Sequence, residues 1–312
     1  MKCVVTGAAG FIGSNLCDRL LALGHDVTGI DCFTDYYPRA HKEANLAAAR
    51  RHPRFTFVEG DLNALDLRPL IGAGDWVFHE AAQAGVRASW GASFQIYTAL
   101  NVDATQRLLE ACKEAKPARI VYASSSSVYG DAAKFPENED DRPQPISPYG
   151  VTKLAAEHLC VLYWKAFGAP TVSLRYFTVF GPRQRPDMAF HKWCRAALAD
   201  AELPIFGDGE QTRDFTYVAD AVDAIVAAAT ADCVGQVLNV GGGNRVTVKQ
   251  TLAALAEIHG RPLRLVDRGA QKGDVRHTAA DISRAERLLG YRPKVGLLDG
   301  LRAEYEWIKT IL

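Results

Sequence analysis

The chain has 312 residues, 48% of them hydrophobic, with 36 basic and 36 acidic side chains and no formal net charge. That length suits one large domain or two closely joined ones, and a balanced charge gives no electrostatic reason to expect nucleic acid or an anionic membrane as partner. The seven cysteines are dispersed without C-x-x-C pairing, no apolar run approaches the ~20 residues of a membrane span, and the N-terminus "MKCVVTG" leaves no room for a signal peptide, so free thiols and a cytoplasmic location are expected.

The first predicted strand, "KCVVTG", runs into "TGAAGFIG" (Thr6 to Gly13), which opens a helix near Ser14–Leu23. Gly7, Gly10 and Gly13 let backbone approach a phosphate closely, and the helix N-terminus offers free N–H groups to a pyrophosphate. The spacing is G-x-x-G-x-x-G rather than G-x-G-x-x-G. The next strand, "DVTGID", ends at Asp31, where a carboxylate can accept a hydrogen bond from an adenosine ribose. It would repel a 2′-phosphate, so NAD is expected over NADP.

Further apolar runs, "RFTFVEGD", "DWVFHEA", "RIVYAS" and "TVSLRYF", alternate with helical patterns near Arg39–Arg51, Phe94–Glu114 and Pro148–Phe167. Strict alternation of apolar strands and helices indicates a parallel sheet covered on both faces, with ligands beyond the carboxyl ends of the strands. His79 reads as structural on a buried strand. The eight histidines show no metal-ligand spacing, and no metal is expected.

The run "YASSSSVYG" places four hydroxyls, Ser124 to Ser127, after an apolar strand. The segment "SPYGVTK" follows, with Ser147 as helix cap, Pro148 at the first helical position, and Tyr149 and Lys153 one turn apart on one face. Lys153 and a positive nicotinamide are expected to lower the pKa of Tyr149, so that it can take a proton from a substrate hydroxyl.

Beyond Thr178 the rhythm becomes irregular through "FGPRQRPDM" and "LPIFGDGEQ". A helix at Val218–Ala229 and the strand-like "QVLNVGG" follow, and that strand is expected to rejoin the sheet. The predicted fold is α/β: a Rossmann-type doubly wound parallel sheet with a smaller, interleaved C-terminal lobe. The NAD-binding domain is assigned to 1–177 with a returning segment around 214–242, and 178–312 mainly to substrate.

As an ordered set, "TGAAGFIGSNL", "GDLN", "FHEAAQAGVR", "SSSSVYG", "SPYGVTK", "RYFTVFGPRQRPDMAF", "IFGDGEQTRDFTYVAD" and "LNVGGG" resemble the sugar-nucleotide epimerase and dehydratase branch of the extended short-chain dehydrogenase/reductases. The resemblance covers nearly the whole chain. It implies a catalytic set of Ser125, Tyr149 and Lys153, with NAD retained through the cycle. Phe11, Ile12, Asp61, Leu62, Ala81, Ala82, Gln83, Asn101 and Phe177 would join the glycines and Asp31 around the cofactor, Asp61 and Leu62 at the adenine.

The two positions after the catalytic serine separate the reactions of this branch. Dehydratases carry Asp and Glu there, and UDP-glucuronate decarboxylases a glutamate immediately before "VYG". Ser126 and Ser127 stand here instead, which leaves simple epimerisation at C4. Hydroxyls can donate to an anion without repelling it, which suits a sugar with a C5 carboxylate. Thr178 in "RYFT" replaces the asparagine of the "RYFN" typical of UDP-galactose 4-epimerases. The segments carrying Arg87 and Arg185 look like UDP-glucuronate 4-epimerases in particular.

Gln83, Phe206 (on the uracil), Arg213 and Arg276 (on the pyrophosphate and ribose) would complete the UDP-sugar site. For Ser126 and Ser127, a backbone-satisfying role at the strand end is the alternative. A UDP-glucose or UDP-N-acetylglucosamine 4-epimerase is the close alternative function, and a non-catalytic NAD-binding sensor the distant one. In the family resembled, the helices Phe94–Glu114 and Pro148–Phe167 form a dimeric four-helix bundle, so the resemblance implies a homodimer; Leu159, Leu162 and Tyr163 fit such a face or an ordinary core face.

Overall fold

The computed structural model describes residues 1–269 and 275–312. Six strands alternate with helices along the first half of the chain: β1 (Lys2–Thr6), β2 (Asp26–Asp31), β3 (Phe55–Glu59), β4 (Trp76–His79), β5 (Arg119–Ser125) and β6 (Thr171–Tyr176). All pair in parallel, in the order β6-β5-β4-β1-β2-β3. The strand Val237–Val240 returns from the second half to pair with β6, as "QVLNVGG" led us to expect. Every residue of β5 and β6 is buried, the signature of a sheet covered on both faces.

The helices are α1 (Phe11–Ala22), α2 (Arg39–Leu46), α3 (Phe94–Tyr97), α4 (Ala104–Ala115), α5 (Pro148–Phe167), α6 (Ala189–Leu198), α7 (Val218–Thr230), α8 (Val248–His259), α9 (Ser283–Leu289) and α10 (Leu297–Lys309). One sheet face packs on α1 and α7, through Leu16, Leu20, Val222 and Ile225. The other packs on α4 and α5, through Leu108, Leu109, Ala156 and Cys160. A separate core of Phe180, Phe190, Trp193, Leu252 and Leu301 joins α6, α8 and α10 in the second lobe.

Two predicted helices take a different form. The stretch 39–51 ends its α-helix at Leu46 and closes with a short 3-10 turn at Ala49–Arg51. The stretch from Phe94 carries a π-helical segment, Thr98–Asp103, between α3 and α4. Of the three apolar positions singled out on α5, only Leu162 faces solvent, at 54% exposure. Leu159 packs against the core, and Tyr163 is buried with its hydroxyl on Glu110. Among the described residues no helix is long and apolar enough to cross a membrane, and the cysteines are free thiols, all buried but Cys32.

Candidate active site

β1 and β4 are neighbours while β2 lies on the other side of β1, so chain connections diverge here and leave a crevice beyond the strand ends. That crevice is a cleft with about 1150 Å³ of space, its open mouth included. The turn after β1 forms its floor. Gly7 has φ +68°, and a side chain there would meet Ala81 N at 2.7 Å. A Cβ on Gly13 would lie 2.1 Å from the Gly7 carbonyl oxygen, so α1 can start this close to the strand only with glycine. No side chain caps α1, which leaves the first-turn amides of Phe11, Ile12 and Gly13 to a ligand.

Asp31 closes the crevice from β2. Its Oδ2 accepts from Ala9 N at 3.0 Å and its Oδ1 from Phe33 N at 2.8 Å. Burial raises its carboxyl pKa, partly offset by these backbone donors. Each oxygen keeps a lone pair for a ribose hydroxyl. With Asp61, Leu62, Ala81, Ala82 and Gln83 on the same wall, the crevice suits a dinucleotide whose adenosine lies toward β2 and β3. Asn101 stands behind that wall. It is 1% exposed, its Oδ1 accepts from Gln83 N, and its Nδ2 donates to Gln83 O and Thr152 Oγ1. Phe177 is also buried, packed on Val128 and Tyr129. His79 is held neutral by burial, its pKa pushed down to about 3, between the Thr6 and Thr105 hydroxyls.

α5 enters this end of the cleft as the sequence led us to expect: Ser147 Oγ accepts from Gly150 N at 3.1 Å, Pro148 opens the helix, and Gly168 ends it at φ +69°. Tyr149 and Lys153 both line the cleft. The expected lowering of the Tyr149 pKa rests on Lys153 together with a bound nicotinamide; within the protein chain itself Lys153 is not among the groups that act on the phenol. Burial raises Tyr149, and the opposing influences are a hydrogen bond with Ser125 and the charge of Arg185. The Lys153 ammonium sits 4.5 Å over the Tyr122 ring instead, and burial lowers it to about 8.

The four serines divide. Ser124 is buried and donates to Glu157 Oε2 at 2.6 Å. Ser125 accepts from Ser127 N at 3.2 Å, capping a short 3-10 turn, so it already serves both the backbone and Tyr149. Ser126 and Ser127 are partly exposed, as is Thr178 across the end of β6. Arg185 borders the cleft and grips Asp187 with two bonds of 3.0 Å. Tyr36 donates to the same carboxylate at 3.1 Å.

The remaining candidates gather around Glu202–Ile205 and the turn after it. The Arg87 guanidinium lies 4.3 Å over the Phe206 ring. Arg213 donates to the carbonyls of Thr212 and Arg276 at 2.8 and 3.1 Å. Arg276 is exposed and paired with Asp208 at 2.8 Å, so meeting a pyrophosphate would mean exchanging that partner. Among the residues not singled out from sequence are Glu80 and Tyr176 in the cleft wall, and Glu157 one turn beyond Lys153 on α5. Glu157 had a signal, since 149, 153 and 157 fall four apart on one helix face. Among the described residues, no group of three or more His, Cys, Asp or Glu is placed to hold a metal ion.

The NAD dependent epimerase/dehydratase family model matches residues 3–241. A crystal structure of UDP-glucuronic acid 4-epimerase from Bacillus cereus, in complex with UDP-glucuronic acid and NAD, superposes with a TM-score of 0.96 at 46% identity, covering 100% of both chains. An uncharacterized UDP-glucose epimerase, YtcB of Bacillus subtilis, is 46% identical over 100% of this chain and 99% of its own. The UDP-glucuronate 4-epimerase of Thermodesulfobacterium geofontis is 35% identical over 98% of this chain and 95% of its own.

Proposed function

The chain belongs to the NAD dependent epimerase/dehydratase family, and we propose that within it this protein is an NAD-dependent UDP-glucuronate 4-epimerase, interconverting UDP-glucuronate and UDP-galacturonate. The observation that carries this reading is the end of β5. There the serine beside Tyr149 is followed by Ser126 and Ser127 rather than by an acid/base carboxylate, so the site supports redox at C4 without elimination.

NAD, held by Gly7, Gly10, the first turn of α1 and Asp31, supplies a reversible hydride acceptor for C4. Tyr149 takes the proton of the 4-hydroxyl and Ser125 holds that oxygen beside it. The ketone then presents its other face, where C4 receives the hydride back, and Tyr149 returns the proton to the oxygen. A 4-keto uronic acid loses CO₂ when its C–CO₂ bond aligns with the carbonyl π system. Ser126, Ser127 and Thr178 donate weak hydrogen bonds that keep the carboxylate out of that alignment. Phe206, Arg87, Arg213 and Arg276, in the second lobe and at its border, receive the UDP moiety, arginine suiting phosphate oxygens through its planar fork.

Chromatography of the protein incubated separately with UDP-glucuronate and UDP-glucose, without added cofactor, tests this reading. The expected result is conversion of the acid alone to its C4 epimer, with no UDP-pentose. The Thr178→Ala and Ser127→Ala variants should release CO₂ and UDP-pentose. Equal or better turnover of UDP-glucose sinks the uronate assignment, and unchanged variants sink the clamp.

The protein also pairs with itself through the outer face of α3 and α5. Val151, His158 and Leu162 fall on one stripe of α5 and are exposed, with Ile96 exposed on α3 at 52%. Sedimentation at micromolar concentration is expected to give twice the monomer mass, and Leu162→Glu to give the monomer. A wild-type monomer at that concentration ends this proposal.

A further inference from the structure

Glu80 follows β4 at the point where the strand order reverses. Its side chain borders the cleft together with Tyr149, Lys153 and Tyr176, and Oε1 accepts a hydrogen bond from the Tyr176 hydroxyl at 3.0 Å. The charged and titratable groups facing it are Lys153 from α5, Tyr176 from β6 and Tyr122 from β5. Burial pushes its carboxyl up to about 7, while the Tyr176 bond and the Lys153 charge hold it down. The other acidic side chains bordering the cleft, Asp31 and Asp61, follow β2 and β3 on the adenosine side. Glu80 therefore supplies negative charge at the end where Tyr149 and Lys153 act.

A carboxylate in a low-dielectric wall is costly unless a positive charge faces it. Lys153 is one such charge. The oxidised nicotinamide is a second, and the reduced form carries none. We propose that Glu80, clasped by Tyr176, biases this cleft toward the oxidised nicotinamide over the reduced one, as a positioning charge rather than a group that touches the sugar. The inference rests on the NAD reading of the cleft. Its consequence is chemical: with the hydride residing mostly on the sugar, the 4-keto acid stays scarce, which limits loss of CO₂.

The test is a partition measurement on the purified holoenzyme. Protein at pH 8, where the carboxyl is largely ionised, is equilibrated with NAD⁺ and NADH at fixed ratios. It is then desalted, and the bound cofactor is released and quantified. Glu80→Gln keeps the shape and an acceptor for Tyr176 but removes the charge. It is expected to lower the bound NAD⁺/NADH ratio roughly tenfold. Tyr176→Phe removes the donor that favours the ionised carboxyl, and should lower the ratio a few-fold in the same direction. An unchanged ratio in both variants overturns the proposal while leaving the NAD reading intact. A protein that neither carries nicotinamide cofactor as purified nor takes up either form overturns both. Should Glu80→Gln not accumulate folded, the Tyr176→Phe ratio decides alone.

Discussion

Tyr149→Phe is expected to lower turnover of the nucleotide sugar roughly 10³-fold or more while the protein still carries its NAD. The substitution removes one oxygen and keeps the ring. That ring is fixed by edge contact with Tyr97, at 6.2 Å and 76°, and by a helix start whose cap does not involve the hydroxyl. Geometry should survive, so the loss reports the proton transfer. Because burial raises the tyrosine and Lys153 is turned toward Tyr122, the phenol needs help from Ser125 and Arg185 to act as a base. Ser125→Ala should therefore lose activity in the same direction but by less, since only one of the opposing influences is removed. Steady-state kinetics, with the NAD content of the purified variant measured beside them, check both. A Tyr149→Phe enzyme within tenfold of the parent would mean that another group takes the proton. Loss of NAD along with activity would mean that the tyrosine holds the cofactor rather than the chemistry.

How much of this was legible depends on the range of the cause. α5 runs from Pro148 to Phe167 as read from sequence, because its starting signals are local: a capping serine and a proline at the first turn. The glycine turn was legible for the same reason, its clashes lying within residues 7–13 or just across the crevice. The π segment at Thr98–Asp103 was not, since the apolar period runs through it without a break. Nor were the two-residue strands of the second lobe, Val179–Phe180 with Thr216–Tyr217 and Thr212–Arg213 with Val246–Thr247, which are too short to show a period.

In the site, residue types with family-specific spacing could be named. Residues whose importance comes from a distant partner could not. Glu80 meets Tyr176 across 96 positions, and nothing near either names the other. The direction of the Lys153 ammonium was not legible, for the opposite reason. Helical spacing placed Tyr149 and Lys153 on one face, but the ammonium lies over the Tyr122 ring of β5 and feels the charge of Glu80 after β4, neither of which is near it in sequence.

Breaking the ion pair between Glu157 and Arg175 should destabilise the fold severely, by about 3–5 kcal/mol for Glu157→Ala or Arg175→Ala. The two side chains are 2% and 4% exposed. Arg175 Nη2 and Nε donate to Oε1 and Oε2 at 2.7 and 2.9 Å, and Ser124 Oγ donates to Oε2 as well. The guanidinium also lies 4.7 Å over the Tyr129 ring. Removing one partner leaves the other charged, desolvated and uncompensated, which is why the single change is so costly. Replacing both partners with apolar or neutral groups is not, so Glu157→Gln with Arg175→Met should lose much less than the sum of the two single losses. Denaturant unfolding of the parent, both single variants and the double variant measures that difference.

The position of the pair adds a second consequence. Ser124 adjoins Ser125 at the end of β5, and Glu157 continues the face that carries Tyr149 and Lys153, so the pair ties the strand bearing the proposed catalytic serine to the helix bearing Tyr149 and Lys153. Single variants that still fold at low temperature are expected to show a reduced kcat with little change in KM. The double variant should stay stable but recover kcat only in part, because the tie itself is gone. If the single variants lose no more than about 1 kcal/mol, the pair is exchanging with water and holds nothing. If they lose the full amount yet keep kcat, the network stabilises the fold alone, and Ser125 and Tyr149 are aligned by the cap at Ser147 and the 3-10 turn at Ser126–Val128.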